Sequence, residues 1–202
     1  LPDVKPIFGV TRPANTWNPI KINFQHLFLL IKDAWRSPKL VDKFKIWFMP
    51  TGWRPDNFDD LYPVNKIEDV YAYDKYKPIE SKSLTLYSMF QLSCCIFFVF
   101  HLFYSIASIS DFYSYSSLLL YGLFVFVHIY CLTDLMDANR LNWFFELLKL
   151  VLILFIIYMF NGWFNIDLYH SYLIVFYQII SLVFSFYFSF FFDKHKVISI
   201  TK

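Results

Sequence analysis

Residues 84 to 107 read LTLYSMFQLSCCIFFVFHLFYSIA, with no Asp, Glu, Lys or Arg among them. A helix needs about 20 apolar residues to cross the roughly 30 Å hydrocarbon layer of a bilayer, and buried helices of soluble proteins seldom reach that length uncharged. Three more windows meet the same test, at approximately 115 to 134, 143 to 163 and 171 to 192; the last, SYLIVFYQIISLVFSFYFSFFF, is also free of charged residues. The fold class expected is therefore all-α: a polytopic membrane helical bundle with four C-terminal transmembrane helices.

The flanks of these windows predict an orientation, because short loops rich in Lys and Arg stay on the cytoplasmic side. Lys75, Lys77 and Lys82 precede the first span, Arg140 lies between the second and third, and Lys194, Lys196 and Lys202 follow the fourth. The opposite loops, around Asp111 and Asp167, contain no Lys or Arg. Both ends of the four-span region are thus expected on the cytoplasmic side.

Composition agrees with a membrane protein. The 202 residues are 57% hydrophobic and 23% aromatic, and the net charge is only +2. That balance, with no basic stripe, argues against a nucleic-acid partner. Residues 1 to 82 hold 13 of the 18 Lys and Arg and 10 of the 16 Asp and Glu, leaving the remainder nearly uncharged. Cys94, Cys95 and Cys131 fall inside apolar runs with no CxxC pattern and read as small hydrophobes. The chain opens Leu1-Pro2-Asp3, without an initiator Met or the order of a signal peptide, and is expected to be a truncated or trimmed sequence.

The polar N-terminal stretch predicts two amphipathic helices. Asn18 is a plausible N-cap with Pro19 at the first helical position. Ile20, Phe24, Leu27, Phe28, Ile31 and Trp35 then recur at helical spacing. Ser37-Pro38 repeats the start signal, and Leu40, Phe44, Trp47 and Phe48 form a second stripe opposite Lys39, Asp42, Lys43 and Lys45. Such helices suit either a membrane surface or the cover of a soluble catalytic core. Trp17, Trp35, Trp47 and Trp53 are the candidate membrane-interface anchors, since the amphipathic indole is favoured at headgroup depth. The expected division is 1 to 60 as the end of a catalytic domain with amphipathic helices, 61 to 82 as linker, 83 to 193 as the four-helix region, and 194 to 202 as a cytoplasmic tail.

Five histidines invite a metal reading, but their positions disperse them. His26 lies on the first amphipathic helix, His170 before the fourth span and His195 in the tail. His101 and His128 fall in the first and second spans at depths differing by roughly 10 Å at 1.5 Å per residue, which disfavours one shared haem or iron. Ionisable groups inside a bilayer are costly and are functional candidates for that reason. His128 is the candidate polar intramembrane site, against the alternative of a neutral imidazole bonded to a neighbouring Ser or Tyr. Asp134, Asp137 and Arg140 surround a turn, and Glu146 and Lys149 share one helical face; interfacial pairing and a lipid headgroup site are the two readings. No GxSxG, Gly-rich phosphate loop or HExxH motif is present.

Two segments carry a family resemblance. The run Ile7-Phe-Gly-Val-Thr-Arg-Pro-Ala-Asn-Thr-Trp-Asn-Pro-Ile20, continuing through Asn23-Phe-Gln-His-Leu27, and the run Trp47-Phe-Met-Pro-Thr-Gly-Trp-Arg-Pro55 resemble elements of the fatty acid hydroxylase and sterol desaturase superfamily. In particular, the first run is similar to bacterial relatives of alkylglycerol monooxygenase. In the second run Thr51 separates Pro50 from Gly52, a departure from the Pro-Gly-Trp-x-Pro element.

The resemblance implies a membrane non-haem di-iron oxygenase acting on a lipid substrate, with HxxxH and HxxHH clusters holding the irons and reduced pterin as a candidate reductant. Those clusters are absent from this sequence. The resemblance therefore implies the C-terminal portion of such an enzyme, inactive alone and partnered by the upstream catalytic segment of the same protein and by membrane lipids. It also implies a bacterial inner-membrane location. It assigns no catalytic or metal residue to this chain. The alternative is a non-enzymatic four-span scaffold or small carrier.

Overall fold

The computed structural model describes residues 12–67, 69, 71–73, 76–78, 81–108, 115–164 and 166–191. Lys75, Asp111, Lys194, His195, Lys196 and Lys202, on which parts of the orientation and tail expectations rest, lie outside the described residues. The chain divides into two compact units, Leu1–Lys77 and Pro78–Lys202.

In the first unit, helix α1 spans Pro19–Arg36 and helix α2 spans Leu40–Phe48, with a single turn α3 at Phe58–Leu61. Asn18 caps α1: its side-chain oxygen accepts from the backbone N–H of Ile20 at 3.0 Å and of Lys21 at 3.3 Å. Two orphan donors of the first turn are satisfied in this way, and Pro19 at the first position has no N–H to satisfy. The expected repeat of this start at Ser37-Pro38 is not what forms. Lys39 is the flanking residue of α2 and makes no side-chain cap. Ser37 instead ends α1, its backbone N–H donating to the Asp33 carbonyl. The apolar stripes fall where expected and remain uncovered within the unit: Phe24, Leu27, Phe28, Ile31 and Trp35 on α1, and Leu40, Val41, Phe44, Trp47 and Phe48 on α2, are all exposed.

The second unit holds four helices, each long and apolar enough to cross a membrane: α4 (Lys82–Ser108), α5 (Tyr115–Met136), α6 (Asn142–Phe160) and α7 (Leu168–Phe190). The protein is an integral membrane protein. Consecutive helices pack on one another, and α4 meets α7 where the Tyr87 ring stacks on Phe184 and Phe188 at 5.0 and 5.6 Å. The bundle encloses an apolar core that includes Phe98, Phe124, Ile153 and Ile156, but the burial pattern of α7 is inside out relative to a soluble helix. On α7, Ser171, Gln178, Ser181 and Ser185 are at most 1% exposed while Leu173, Phe176 and Val183 are above 60%. Hydrocarbon solvates the large apolar side chains as well as another helix would, so the interface takes small residues that permit close approach and polar residues that need partners.

A short hairpin, β1 (Gly162–Trp163) and β2 (Ile166–Asp167), joins α6 to α7. The third span was expected to run to residue 163; it stops at Phe160 because Asn161 turns left-handed (φ 53°) and Gly162 follows at φ 152°. The turn drives Trp163 into the core, fully buried against Phe124 and Tyr121 at 4.7 and 5.4 Å between ring centres. Its backbone N–H donates to Ser171 Oγ at 2.6 Å. A methyl group on residue 162 would stand 2.4 Å from the Ile166 carbonyl oxygen. Gly162→Ala is therefore expected to cost the bundle about 1–3 kcal/mol through backbone strain and hairpin displacement. Chemical unfolding in detergent followed by tryptophan fluorescence measures it; wild-type stability would show that the hairpin does not set the core.

Candidate functional site

Polar residues from all four membrane helices converge on one cluster. Glu146 and Lys149 are three residues apart, so a turn of α6 sets them on one face, about 6 to 11 Å along the helix from its start at 1.5 Å per residue. The Lys149 ammonium lies 3.0 Å from Glu146 Oε2, and the two side chains are 0% and 4% exposed. The pairing expected from spacing is present, but within the bundle rather than at an exposed interfacial surface.

The other helices supply partners that spacing within α6 could not reveal. From α7, Gln178 Nε2 donates to Glu146 Oε2 at 2.8 Å and Ser181 Oγ donates to the same oxygen at 3.0 Å. From α4, Gln91 Nε2 donates to Ser181 Oγ at 2.8 Å and to the Tyr87 hydroxyl oxygen at 2.6 Å. Tyr87 in turn points its hydroxyl at Ser181, and the Tyr177 hydroxyl donates to Gln91 Oε1. A carboxylate with an ammonium and two neutral donors on it is well compensated even in a low-dielectric interior.

His128, the candidate intramembrane residue, joins the cluster from α5. Its Nε2 stands 3.2 Å from the backbone carbonyl oxygen of Gln91. A carbonyl can only accept, so Nε2 carries the hydrogen and Nδ1 presents a lone pair. The imidazole is held by backbone, not by the Ser or Tyr side chain expected from sequence. Nδ1 has no hydrogen-bond partner among the described residues. His101 is placed apart from this, its Nδ1 3.0 Å from the Tyr121 hydroxyl oxygen, while Tyr121 donates to the Phe98 carbonyl at 3.0 Å. The two membrane histidines are thus held by different partners.

Among the described residues, no three His, Cys, Asp or Glu side chains gather in a group able to hold a metal ion. These residues do not fit a di-iron centre. What the cluster does chemically is bind four helices through a charge-compensated network, with Glu146, Lys149 and His128 among its ionisable groups.

The first unit has a polar centre of its own. Arg54 grips Asp33 with both arms of its guanidinium, Nε to Oδ2 at 2.8 Å and Nη2 to Oδ1 at 2.9 Å, and Nη1 donates to Asp59 Oδ1 and to the Tyr62 carbonyl. Asp33 is buried. The hydrogen bond from Arg54 holds the exposed Asp59 carboxyl below the usual carboxylate range, and the bond to Asp33 raises the Arg54 guanidinium further still. A cavity of about 650 Å³ beside this pair is lined by Arg12, Gln25, His26 and Lys66 among others. His26 is thus placed in a cavity wall, with no metal-binding group of His, Cys, Asp or Glu around it among the described residues. Of the four candidate anchors, Trp17, Trp35 and Trp47 are exposed and Trp53 is half-buried.

No protein-family model and no solved structure matches this chain. Among curated proteins it is similar to alkylglycerol monooxygenase from Homo sapiens, 30% identical over 108 residues, which is 53% of this chain and 24% of that protein. It is likewise similar to alkylglycerol monooxygenase from Xenopus tropicalis, 27% identical over 100 residues, covering 49% of this chain and 22% of the relative. The match therefore spans less than a quarter of the length of these curated relatives. Over about half its length, this four-span membrane protein is related in sequence to alkylglycerol monooxygenases.

Proposed function

We propose that this chain is the C-terminal portion of a membrane lipid oxygenase of the alkylglycerol monooxygenase kind, within the fatty acid hydroxylase and sterol desaturase superfamily. The observation that supports it is the 30% identity over 108 residues to such an enzyme in a chain with four membrane-crossing helices. In this reading the iron ligands are HxxxH and HxxHH clusters in a segment upstream of residue 1, and reduced pterin is the candidate electron donor. The chain's own part is to hold the enzyme in the membrane and to present lipid to it.

The exposed stripes of α1 and α2 fit the second of these tasks. Ten large apolar side chains stand uncovered on two adjacent helices, and the first span begins at Lys82, a short linker beyond this unit. A bilayer surface is within reach of that tether, and Trp35, Trp47 and Phe48 are side chains that favour the headgroup boundary. Trp17 and Trp53 complete the proposed anchor set. Both ends of the four-span region face the cytoplasm in this proposal, in a bacterial inner membrane.

The test begins with the DNA immediately upstream, expected to encode histidine clusters in frame or one frameshift away. The longer protein should then contain about two irons and consume an alkylglycerol in the presence of reduced pterin and dioxygen. An upstream region without such clusters, together with a 202-residue chain that inserts stably and binds its partners alone, favours the four-span scaffold or carrier instead.

A further inference from the structure

We infer that the cavity of the first unit is a binding site for a phosphate group carried by a small molecule, with Arg12 and Lys66 as its charged ligands. The cavity encloses about 650 Å³, within the range of small-molecule sites generally. A phosphate fills only part of that space, and Ile22 and Val64 on the same wall offer apolar contact to the organic group that carries it.

The charges of the wall select an anion. Arg12, Arg54 and Lys66 line the cavity, with Asp59 as the acidic residue among them. Arg54 is already occupied by Asp33, Asp59 and the Tyr62 carbonyl. Arg12 and Lys66 are not: neither side chain forms an ion pair or hydrogen bond with another described residue. The Arg54 hydrogen bond is the main reason the Asp59 carboxyl lies low, and the charges of Lys66 and Arg12 add to it. Both cations therefore stand near the same corner of the wall. With Asp33 counted behind Arg54, the set still keeps one positive charge in excess, and a cavity of that sign concentrates anions.

The neutral lining selects phosphate among anions. His26, from α1, and Thr51, from the loop after α2, line the same cavity, and their side chains have no hydrogen-bond partner among the described residues. An imidazole carries at least one N–H and a hydroxyl one O–H, so free donors come from four separate stretches of chain. A phosphate monoester has three strong acceptor oxygens to meet them from several directions, whereas a carboxylate presents two oxygens in one plane.

The geometry of α1 bears on where the ligand comes from. Ile22, Gln25 and His26 share one face of the helix, and the uncovered stripe of Phe24, Leu27, Phe28 and Ile31 lies on the opposite face. The cavity wall is thus turned away from the apolar stripe, which favours a soluble ester over a lipid headgroup. The site rests on the first unit alone and does not depend on the oxygenase reading.

The experiment is hydrogen–deuterium exchange on the full chain in phosphatidylcholine nanodiscs, with phenyl phosphate as the soluble probe at matched ionic strength. A second arm replaces the soluble probe by phosphatidic acid in the nanodisc. Phenyl phosphate is expected to slow exchange in peptides covering residues 12–26 and 51–66; protection by phosphatidic acid alone assigns the same phosphate site to a headgroup. Arg12→Gln and Lys66→Gln each remove one charge-assisted bond and should weaken phenyl phosphate binding about tenfold. Neither cation holds another residue, so both variants should keep the fold, as limited proteolysis reads. Asp59→Asn removes the opposing carboxylate and should tighten binding about threefold, the opposite of its effect at a cation site. Lys45→Gln, on α2 and outside the cavity wall, should change nothing. Absence of protection in both arms, an equal loss with Lys45→Gln, or weaker binding with Asp59→Asn overturns the assignment.

Discussion

Lys149→Met is expected to cost the membrane bundle about 3–5 kcal/mol, the loss typical of removing one partner of a buried pair and leaving its charge uncompensated. An exposed pair of the same spacing would be worth about 0–1 kcal/mol. The side-chain exposures of 0% and 4% place Glu146 and Lys149 in the first regime. Methionine keeps the length of the aliphatic stem, so packing changes little while the carboxylate keeps the neutral donors Gln178 and Ser181. The double substitution Glu146→Gln with Lys149→Met removes both charges and leaves an amide oxygen for the same two donors. It should recover more than half of the loss. Unfolding in mixed detergent micelles measures both variants; a single-variant loss under about 1 kcal/mol, the exposed-pair range, would show that the pair is solvated.

Arg54→Met is expected to have an effect of the same size in the first unit, about 3–5 kcal/mol, because it strands the buried Asp33 carboxylate. The bidentate fork is the reason lysine should be a poor substitute: an ammonium cannot span both Asp33 oxygens while also reaching Asp59 and the Tyr62 carbonyl. Arg54→Lys should therefore recover only part of the loss. Asp59→Asn removes an exposed partner and should leave stability nearly unchanged. Limited proteolysis between residues 33 and 62, with the four spans intact in detergent, reads the three variants side by side. Equal protease resistance of Arg54→Met and wild type would mean that the Asp33 pair does not hold the unit together.

The four spans were legible from uncharged length alone, and their observed limits depart from the sequence reading by only a few residues at most ends. The end of the third span shows why a limit departs. Its apolar run continues to Trp163, and the reading extended the helix accordingly, but Asn161 and Gly162 turn the backbone out of helix while Trp163 remains in the core. Periodicity reports which residues are apolar; it does not report which apolar residue belongs to a turn folded back onto the bundle. At the start of α2 the failure was local competition. Ser37 had the composition of a cap, but its backbone was already engaged in closing α1.

The site divides along the same line. The amino-acid sequence by itself determined that Glu146 and Lys149 share a helical face, that His128 lies within a span, and that α1 and α2 each present an apolar stripe, because these depend on spacing along one helix. Only the tertiary structure decided that the pair is buried, that Gln178 and Ser181 complete the carboxylate, and that a backbone carbonyl of α4 holds His128. The last two join residues 32 to 37 positions apart in the chain, where no period connects them. Whether a polar group in hydrocarbon is costly or satisfied depends on what the neighbouring helix places opposite it, and that is set by packing.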